Sequence, residues 1–290
     1  MRGRLLAIVI GALWAVWSGA ACADPAFWRI DGPKASVFLV GSTPAVPADG
    51  RWRTPALRAA IEGAQEIWLL APIGLPGPVT ALRMLATIQS QGWLPEGERL
   101  SSMLTPDARA RLARLAQAFD VSLDRLDRMT PWNAQVTLSL AFRKKDGSIK
   151  GLPLERWALE LAPRANRRAF DNLETDLKLL ISTPRKEQIY DLEEAMRRYE
   201  DPALNARYGE AWAGGDLAWI LRERETPLKV NAPLTYEILQ IGPRQKWADQ
   251  IAAIVKSGKP AVVILEAANF VGPEGLPALL RRRGLDVKGP

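Results

Sequence analysis

Two apolar runs at opposite ends of the chain constrain its fold more than any other feature. Residues 36–40 (Ser-Val-Phe-Leu-Val) and residues 261–265 (Ala-Val-Val-Ile-Leu) are short and apolar at nearly every position. Such runs are typical of strands that are covered on both faces of a sheet. The long segment between them has mainly helical spacing. The sequence therefore predicts a single α/β domain, with a central sheet built from N-terminal and C-terminal strands and a large helical middle.

Shorter patterns predict the remaining elements. Asp31-Gly32-Pro33-Lys34 separates residues 27–30 from residues 36–40 and predicts a β-hairpin. Further strands are predicted at 67–71, at 167–171 and at 285–287. Helices are predicted over about 80–145, 174–256 and 274–283, with breaks at 201–202, 214–215 and 226–227.

Four Thr-Pro pairs predict helix starts. Threonine can accept a hydrogen bond from a free N–H group of the first turn, and proline suits the first helical position. The pairs are Thr54-Pro55, Thr105-Pro106, Thr130-Pro131 and Thr183-Pro184.

The first 23 residues have the pattern of a secretory signal peptide. Arg2 and Arg4 precede an apolar run over 5–17, and small residues lead to a cleavage site after Ala23. The predicted division is a signal peptide over 1–23 and one domain over 24–290, exported to the periplasm or secreted. The alternatives are an uncleaved membrane anchor and a lipoprotein modified at Cys22, which is the only cysteine.

Charge and hydropathy argue against a nucleic-acid partner and against a transmembrane helix. The net charge is +7, but the basic residues are dispersed among acids except at 281–283 and at Arg164, Arg167 and Arg168. Solvated helix faces explain such clusters, so no nucleic-acid partner is predicted. No apolar run after the signal is long enough to cross a membrane, so no transmembrane helix is predicted in the mature chain.

Several separated motifs resemble one protein family. They are Gly-Ser-Thr-Pro at 41–44, Met-Thr-Pro-Trp at 129–132, Leu-Glu-Thr at 173–175, Trp-Ala-Asp-Gln-Ile at 247–251 and Asn-Phe-Val-Gly-Pro-Glu-Gly-Leu at 269–276. In this order they resemble the motifs of TraB/GumN proteins across about residues 27–288. That family includes Tiki-type metalloproteases, in which paired Gly-x-x-His motifs and a strand-end glutamate form a metal-dependent hydrolytic site.

The resemblance implies that this site is degenerate here. Pro44 and Asn269 stand where the two histidines would be, and Leu70 stands where the glutamate would be. Imidazole is a good ligand for zinc-like ions, whereas proline and leucine side chains offer no lone pair and an asparagine oxygen is a weak ligand. The chain has no histidine at any position. We therefore expect no metal site of this kind and no cofactor, and we assign no catalytic residue.

Five polar residues remain as candidates for a crevice at the strand ends: Ser42, Thr43, Glu174, Glu266 and Asn269. Ser42 and Thr43 have no histidine that could activate them as nucleophiles. Glu266 and Asn269 bind a polar ligand in one interpretation; in the other, Glu266 pairs with a basic side chain and Asn269 caps a turn. Glu174 and Glu266 could together hold a hard cation, or Glu174 could simply favour a helix start.

The predicted function is that of a pseudoenzyme. The chain would bind a peptide, a glycan or an envelope protein at the former catalytic crevice. Trp93, Trp212 and Trp219 could line such a groove, although packing in the core is the simpler role for them. The alternatives are a divergent hydrolase that uses the carboxylates of Glu174 and Glu266, and a structural protein of the envelope.

Overall fold

A computed structural model describes residues 25–74, 76–147 and 151–290. The predicted signal peptide lies outside the described residues. The strands are β1 Phe27–Asp31, β2 Ser36–Ser42, β3 Glu66–Leu69, β4 Asn166–Ala169, β5 Ala261–Glu266 and β6 Val287–Lys288. They form one sheet in the order β4-β3-β5-β2-β1-β6. The four strands from β4 to β2 are parallel, whereas β1 is antiparallel to both β2 and β6.

Helices make up most of the rest of the described chain. They are α1 Pro55–Glu62, α2 Pro78–Gln91, α3 Pro106–Ala118, α4 Leu123–Asp127, α5 Pro131–Lys145, α6 Pro153–Leu161, α7 Leu173–Ser182, α8 Arg185–Glu200, α9 Pro202–Ala213, α10 Leu217–Ile220, α11 Thr226–Asn231, α12 Pro233–Tyr236, α13 Gly242–Ser257 and α14 Leu276–Arg282. This confirms the predicted α/β class, with a sheet assembled from both ends of the chain and a helical middle.

The sheet is covered by helices on both faces because its central strands are apolar on both sides. Alternate residues of β5 point to opposite faces. Val262 and Ile264 pack into a core cluster that includes residues of α1, α6 and α9. Val263 and Leu265 pack into another that includes residues of α13 and α14. A third cluster, mainly from α3, α5 and α8, lies within the helical middle.

Two of the four Thr-Pro predictions hold in full. The hydroxyl groups of Thr54 and Thr105 accept hydrogen bonds from the first turns of α1 and α3. Thr130 precedes α5 without capping it, and its hydroxyl instead donates to the carbonyl of Gly92. Thr183-Pro184 also precedes a helix, since α8 begins at Arg185, but the predicted cap is wrong: Thr183 ends α7 and its hydroxyl donates to the carbonyl of Leu180.

The predicted break at 226–227 is also wrong. The helix continues through this point, because a π-helical turn over Leu221–Glu225 leads directly into α11. A second π-helical turn, Glu237–Ile241, joins α12 to α13. The other two predicted breaks coincide with the start of α9 and with its end at Gly214.

Within the described residues, the helices are all too short or too polar to cross a membrane.

Candidate functional site

The ends of the parallel strands form one edge of the sheet, which we call the carboxyl edge. Ser42 of β2 lies opposite Glu266 of β5, and Leu69 of β3 lies opposite Ile264. The N–H group of Asp171, just beyond β4, donates to the carbonyl of Leu70. The segments that carry Pro44, Leu70 and Asn269 therefore leave three neighbouring strands at the same edge, which is where open α/β sheets bind ligands.

Gly41 allows β2 and the turn after β5 to approach closely. A Cβ atom at this position would lie 2.9 Å from the Cα and Cβ atoms of Ala267. The indole N–H of Trp212, on α9, donates to the Gly41 carbonyl over 2.8 Å. The glycine of the Gly-Ser-Thr-Pro motif thus has a packing role that any larger residue would disturb.

The candidate residues at the ends of β2 and β3 do not converge on a single pocket. The Ser42 hydroxyl is fully buried and donates to the Leu265 carbonyl over 3.1 Å. The Thr43 hydroxyl is also fully buried and has no hydrogen-bond partner among the described residues. Pro44 is exposed, and Leu70 is half-buried against the core cluster beneath α13 and α14.

Asn269 is held by a buried arginine. It lies in a 3-10 turn, Ala267–Phe270, directly after β5. Nε of Arg244, on α13, donates to the Asn269 side-chain oxygen over 3.1 Å, and an Nη atom donates to the Ala268 carbonyl over 3.1 Å. The Arg244 side chain has no solvent-exposed surface and forms a 2.7 Å ion pair with Glu225. Asn269 is thus the acceptor for a fixed guanidinium.

Glu266 also has an internal partner. An Nη atom of Arg224 lies 2.7 Å from its carboxylate. The ring of Tyr208 lies under the same guanidinium, 5.2 Å from its carbon. Burial, together with the nearby charge of Glu266, raises the pKa of the Tyr208 hydroxyl. The carboxylate at the end of β5 therefore takes part in a partly buried ion pair, as one of the two interpretations had it.

Glu174 has a different set of partners. It lies in the first turn of α7, where Lys178 is 2.9 Å and Arg83 is 3.7 Å from its carboxylate. The hydrogen bond from Lys178 is the main cause of its lowered pKa. The structure thus gives Glu174 and Glu266 separate cations on different helices.

Asp171 is a strand-end residue that the sequence did not single out. It lies two residues beyond the end of β4 and is buried. Lys246 forms an ion pair with it, and the indole N–H of Trp247 donates to its carboxylate over 2.6 Å. Arg244 was missed as well, although its spacing from Trp247, Ala248 and Ile251 places a charge on the apolar face of α13. That combination was the available signal for a buried ion pair.

A pocket of about 120 Å³ opens beside the carboxyl edge. We call it the charged pocket. Its walls come from α8, from the two π-helical turns, from the start of α11 and from the end of β5 with the turn that follows. They are Tyr190, Asp191, Glu194, Arg198, Glu223, Arg224, Glu225, Pro227, Leu228, Gln240, Glu266 and Ala268. Of the five candidate crevice residues, only Glu266 contributes to it.

Two other expectations concern metals and aromatic residues. In the part of the chain that the structure describes, no three or more His, Cys, Asp or Glu side chains are grouped so that they could hold a metal ion.

Trp212 and Trp219 are only 2% and 6% exposed, so they pack in the core and do not line an open groove. Trp93 is half-buried and lines a separate shallow pocket together with Arg99 and Arg128.

Comparisons with known proteins give the family. Searches of curated proteins and of solved structures found no match. The model of the TraB/PrgY/gumN family matches residues 26–289, which is nearly the whole chain. The protein therefore belongs to the TraB/PrgY/gumN family.

Proposed function

We propose that the protein is an exported member of this family that has lost metal-dependent hydrolysis. In place of catalysis, it binds a peptide, a glycan or an envelope protein beside the carboxyl edge of its sheet. The observation that carries this proposal is the contact between Arg244 and Asn269.

A fixed guanidinium at this point opposes metal binding. Arg244 is buried, and its Nε atom lies 3.1 Å from the side-chain oxygen of Asn269. A divalent cation at Asn269 would meet this like charge in a poorly solvated place, where repulsion is strong. The donor set is equally unsuitable, because the chain has no imidazole and Leu70 offers no lone pair.

Metal analysis and a cleavage assay test the loss of hydrolysis. We expect the purified mature chain, 24–290, to contain no stoichiometric metal and to cleave no member of a peptide panel in the presence of zinc, manganese or cobalt. Tightly held stoichiometric metal, or cleavage that a chelator abolishes, would refute the proposal.

Two variants distinguish it from the alternative hydrolase. If the carboxylates were catalytic, Glu174→Gln and Glu266→Gln would each abolish a measured activity. The matched control is Glu62→Gln, because Glu62 is an exposed residue of α1 paired only with Arg58. Loss of activity in both variants but not in the control would favour the hydrolase.

Export is tested on the full chain. We expect a chain that carries residues 1–23 to reach the periplasm or the medium of a bacterial host and to begin at Asp24. A chain that begins at a lipid-modified Cys22 would establish the lipoprotein, and one that keeps Met1 would establish the anchor.

A further inference from the structure

The construction of the charged pocket points to ligand binding. Both π-helical turns line it, through Glu223, Arg224 and Glu225 of the first and Gln240 of the second. A π-helical turn is less stable than the α-helix it interrupts, and such turns occur frequently at functional sites. Two of them in the wall of one pocket suggest that the helices are adjusted to present particular side chains there.

Most charges of the pocket are compensated within the protein. Four of its five carboxylates each form an ion pair with an arginine. The pairs are Glu194 with Arg197 at 2.9 Å, Glu223 with Arg222 at 3.0 Å, Glu225 with Arg244 at 2.7 Å and Glu266 with Arg224 at 2.7 Å. The two remaining charges on the pocket wall are Asp191 and Arg198.

Arg198 is a largely desolvated cation that forms no salt bridge with a described residue. Its side chain forms no salt bridge with, and donates no hydrogen bond to, any described residue. Burial, and after it the like charge of Arg224, lowers its pKa, while the negative charges of Asp191 and Glu194 act in the opposite direction. A guanidinium nevertheless stays protonated at neutral pH. An anion would relieve this unfavourable burial, and a carboxylate matches the fork of a guanidinium.

Asp191 supplies the opposite charge on the same wall. Its carboxylate accepts a 2.7 Å hydrogen bond from the side-chain nitrogen of Gln135, which carries no charge. Asp191 and Arg198 are seven residues apart on α8, so they lie on one face about two turns from each other. The charge of Asp191 acts on the Arg198 guanidinium, so the two side chains lie near each other. The two charges nevertheless form no salt bridge with each other.

We propose that the charged pocket binds a small zwitterion, with its carboxylate at Arg198 and its ammonium group at Asp191. This inference rests on the proposed binding function and specifies the chemistry of the ligand. A cavity of about 150 Å³ can hold benzene, which has six heavy atoms. The 120 Å³ available here suits a ligand of similar size, such as a small free amino acid, or one end of a short peptide that enters through the opening.

Calorimetric titration of the mature chain tests the proposal with defined probes. Alanine and alanylalanine carry both charges at different separations, whereas N-acetylalanine lacks the ammonium group and alaninamide lacks the carboxylate. We expect at least one zwitterion to bind and both singly charged probes to bind about tenfold more weakly or worse. Tighter binding of alanine would identify a free amino acid as the ligand, and tighter binding of alanylalanine would identify a peptide. Equal binding of a singly charged probe overturns the proposal.

Variants assign the two contacts. Arg198→Gln and Asp191→Asn should each weaken binding of the zwitterion by about ten- to hundredfold, because each removes a charge-assisted hydrogen bond. Arg198→Lys keeps the charge without the fork and should fall between Arg198→Gln and the wild type. The control is Arg109→Gln, an exposed position on α3 outside the pocket. Circular dichroism identifies any variant that is not folded, and unchanged binding in folded Arg198→Gln overturns the proposal.

Failure of this inference differs from failure of the proposed function. If the wild type binds none of the four probes at millimolar concentration, the zwitterion site is wrong, while the metal and cleavage assays still decide the loss of hydrolysis. If alanylalanine binds and is cleaved, the proposed loss of hydrolysis is wrong, and the site stands.

Discussion

Arg244 illustrates how one buried charge organises the carboxyl edge. Its guanidinium contacts Glu225 in the first π-helical turn, Gln240 in the second and Asn269 in the turn after β5. Three segments that are separate in sequence therefore depend on a single side chain. The sequence placed Asn269 at the strand end, but it could not show this contact, because nothing in the spacing of residues reports a pair that forms between distant segments.

Replacing Arg244 should destabilise the fold strongly. In Arg244→Met, the buried carboxylate of Glu225 loses its charged partner, which typically costs about 3–5 kcal/mol. The measurement is the free energy of unfolding in a denaturant titration. The double variant Arg244→Met with Glu225→Gln should recover much of the loss. A change of less than about 1 kcal/mol in Arg244→Met would contradict the structural role assigned to this pair.

Asp176 makes the stability of the fold depend on pH. Burial, and after it the charge of Asp171, raises the pKa of its carboxyl group to about 6. An unfolded aspartate titrates near pH 3.9, so the folded chain binds this proton more tightly. The stabilising contribution is therefore complete below about pH 4 and disappears as the pH rises through about 6.

Asp176→Asn should remove this dependence. At pH 7, we expect the variant to be more stable than the wild type by about 1–2 kcal/mol, after allowance for partial solvent screening. The gain should shrink as the pH falls towards 4. The control is Asp124→Asn, an exposed position on α4. Equal stability of Asp176→Asn and the wild type at pH 7 would count against the raised pKa.

The helices show how far local sequence determines an element. All four Thr-Pro pairs lie at helix boundaries, but only Thr54 and Thr105 cap the helix that follows. The Thr130 hydroxyl donates to the carbonyl of Gly92, which the fold brings near it, and the Thr183 hydroxyl donates to the carbonyl of Leu180 in the preceding helix. The π-helical turns are a similar case, since their residues follow ordinary helical spacing. Helix positions could therefore be predicted, whereas the details that shape the charged pocket could not.

The two true caps give a direct prediction. Thr54→Ala and Thr105→Ala should each lower the free energy of unfolding by about 1 kcal/mol, because each leaves an N–H group of a first turn without its acceptor. Ser90→Ala is the comparison: Ser90 is exposed within α2, and its hydroxyl donates only to carbonyls of its own helix. That change should be neutral or slightly stabilising. Equal losses at all three positions would show that capping is not the cause.

At the scale of the whole molecule, the order of the strands was the least predictable feature. The apolar runs at both ends of the chain predicted that β2 and β5 belong to one sheet, and the structure places them side by side. Their pattern did not predict that β5 lies between β2 and β3, or that β6 closes the other edge. Hydrophobic periodicity identifies a strand and its buried faces, but several neighbours would bury those faces equally well.

Truncations should separate the central strand from the edge strand. A chain that ends at Lys259 lacks β5, α14 and β6, so β2 and β3 lose their shared neighbour, and we expect no cooperative thermal transition. A chain that ends at Leu285 loses β6, a 3.0 Å hydrogen bond from Trp28 to the carbonyl of Pro290, the hydrogen bonds from Arg281 to the carbonyls of Val287 and Gly289, and the ion pair of Lys288 with Asp31. It should remain folded, with a melting temperature lower by about 2–4 °C for each kcal/mol lost. A cooperative transition in the shorter chain would contradict the assigned strand order.

The central place of β5 also sets the order of events during synthesis. Ser42 and its partner Leu265 are separated by 223 positions. At about 5–20 residues per second, a ribosome needs on the order of 10–45 s to supply the second after the first. During that time the hairpin of β1 and β2 has an unpaired edge, and β3 has no neighbour on either side until β4 is made. The nascent chain therefore cannot complete its sheet until β5 is made. Until then, the unpaired edges of β2 and β3 remain available for a chaperone to bind.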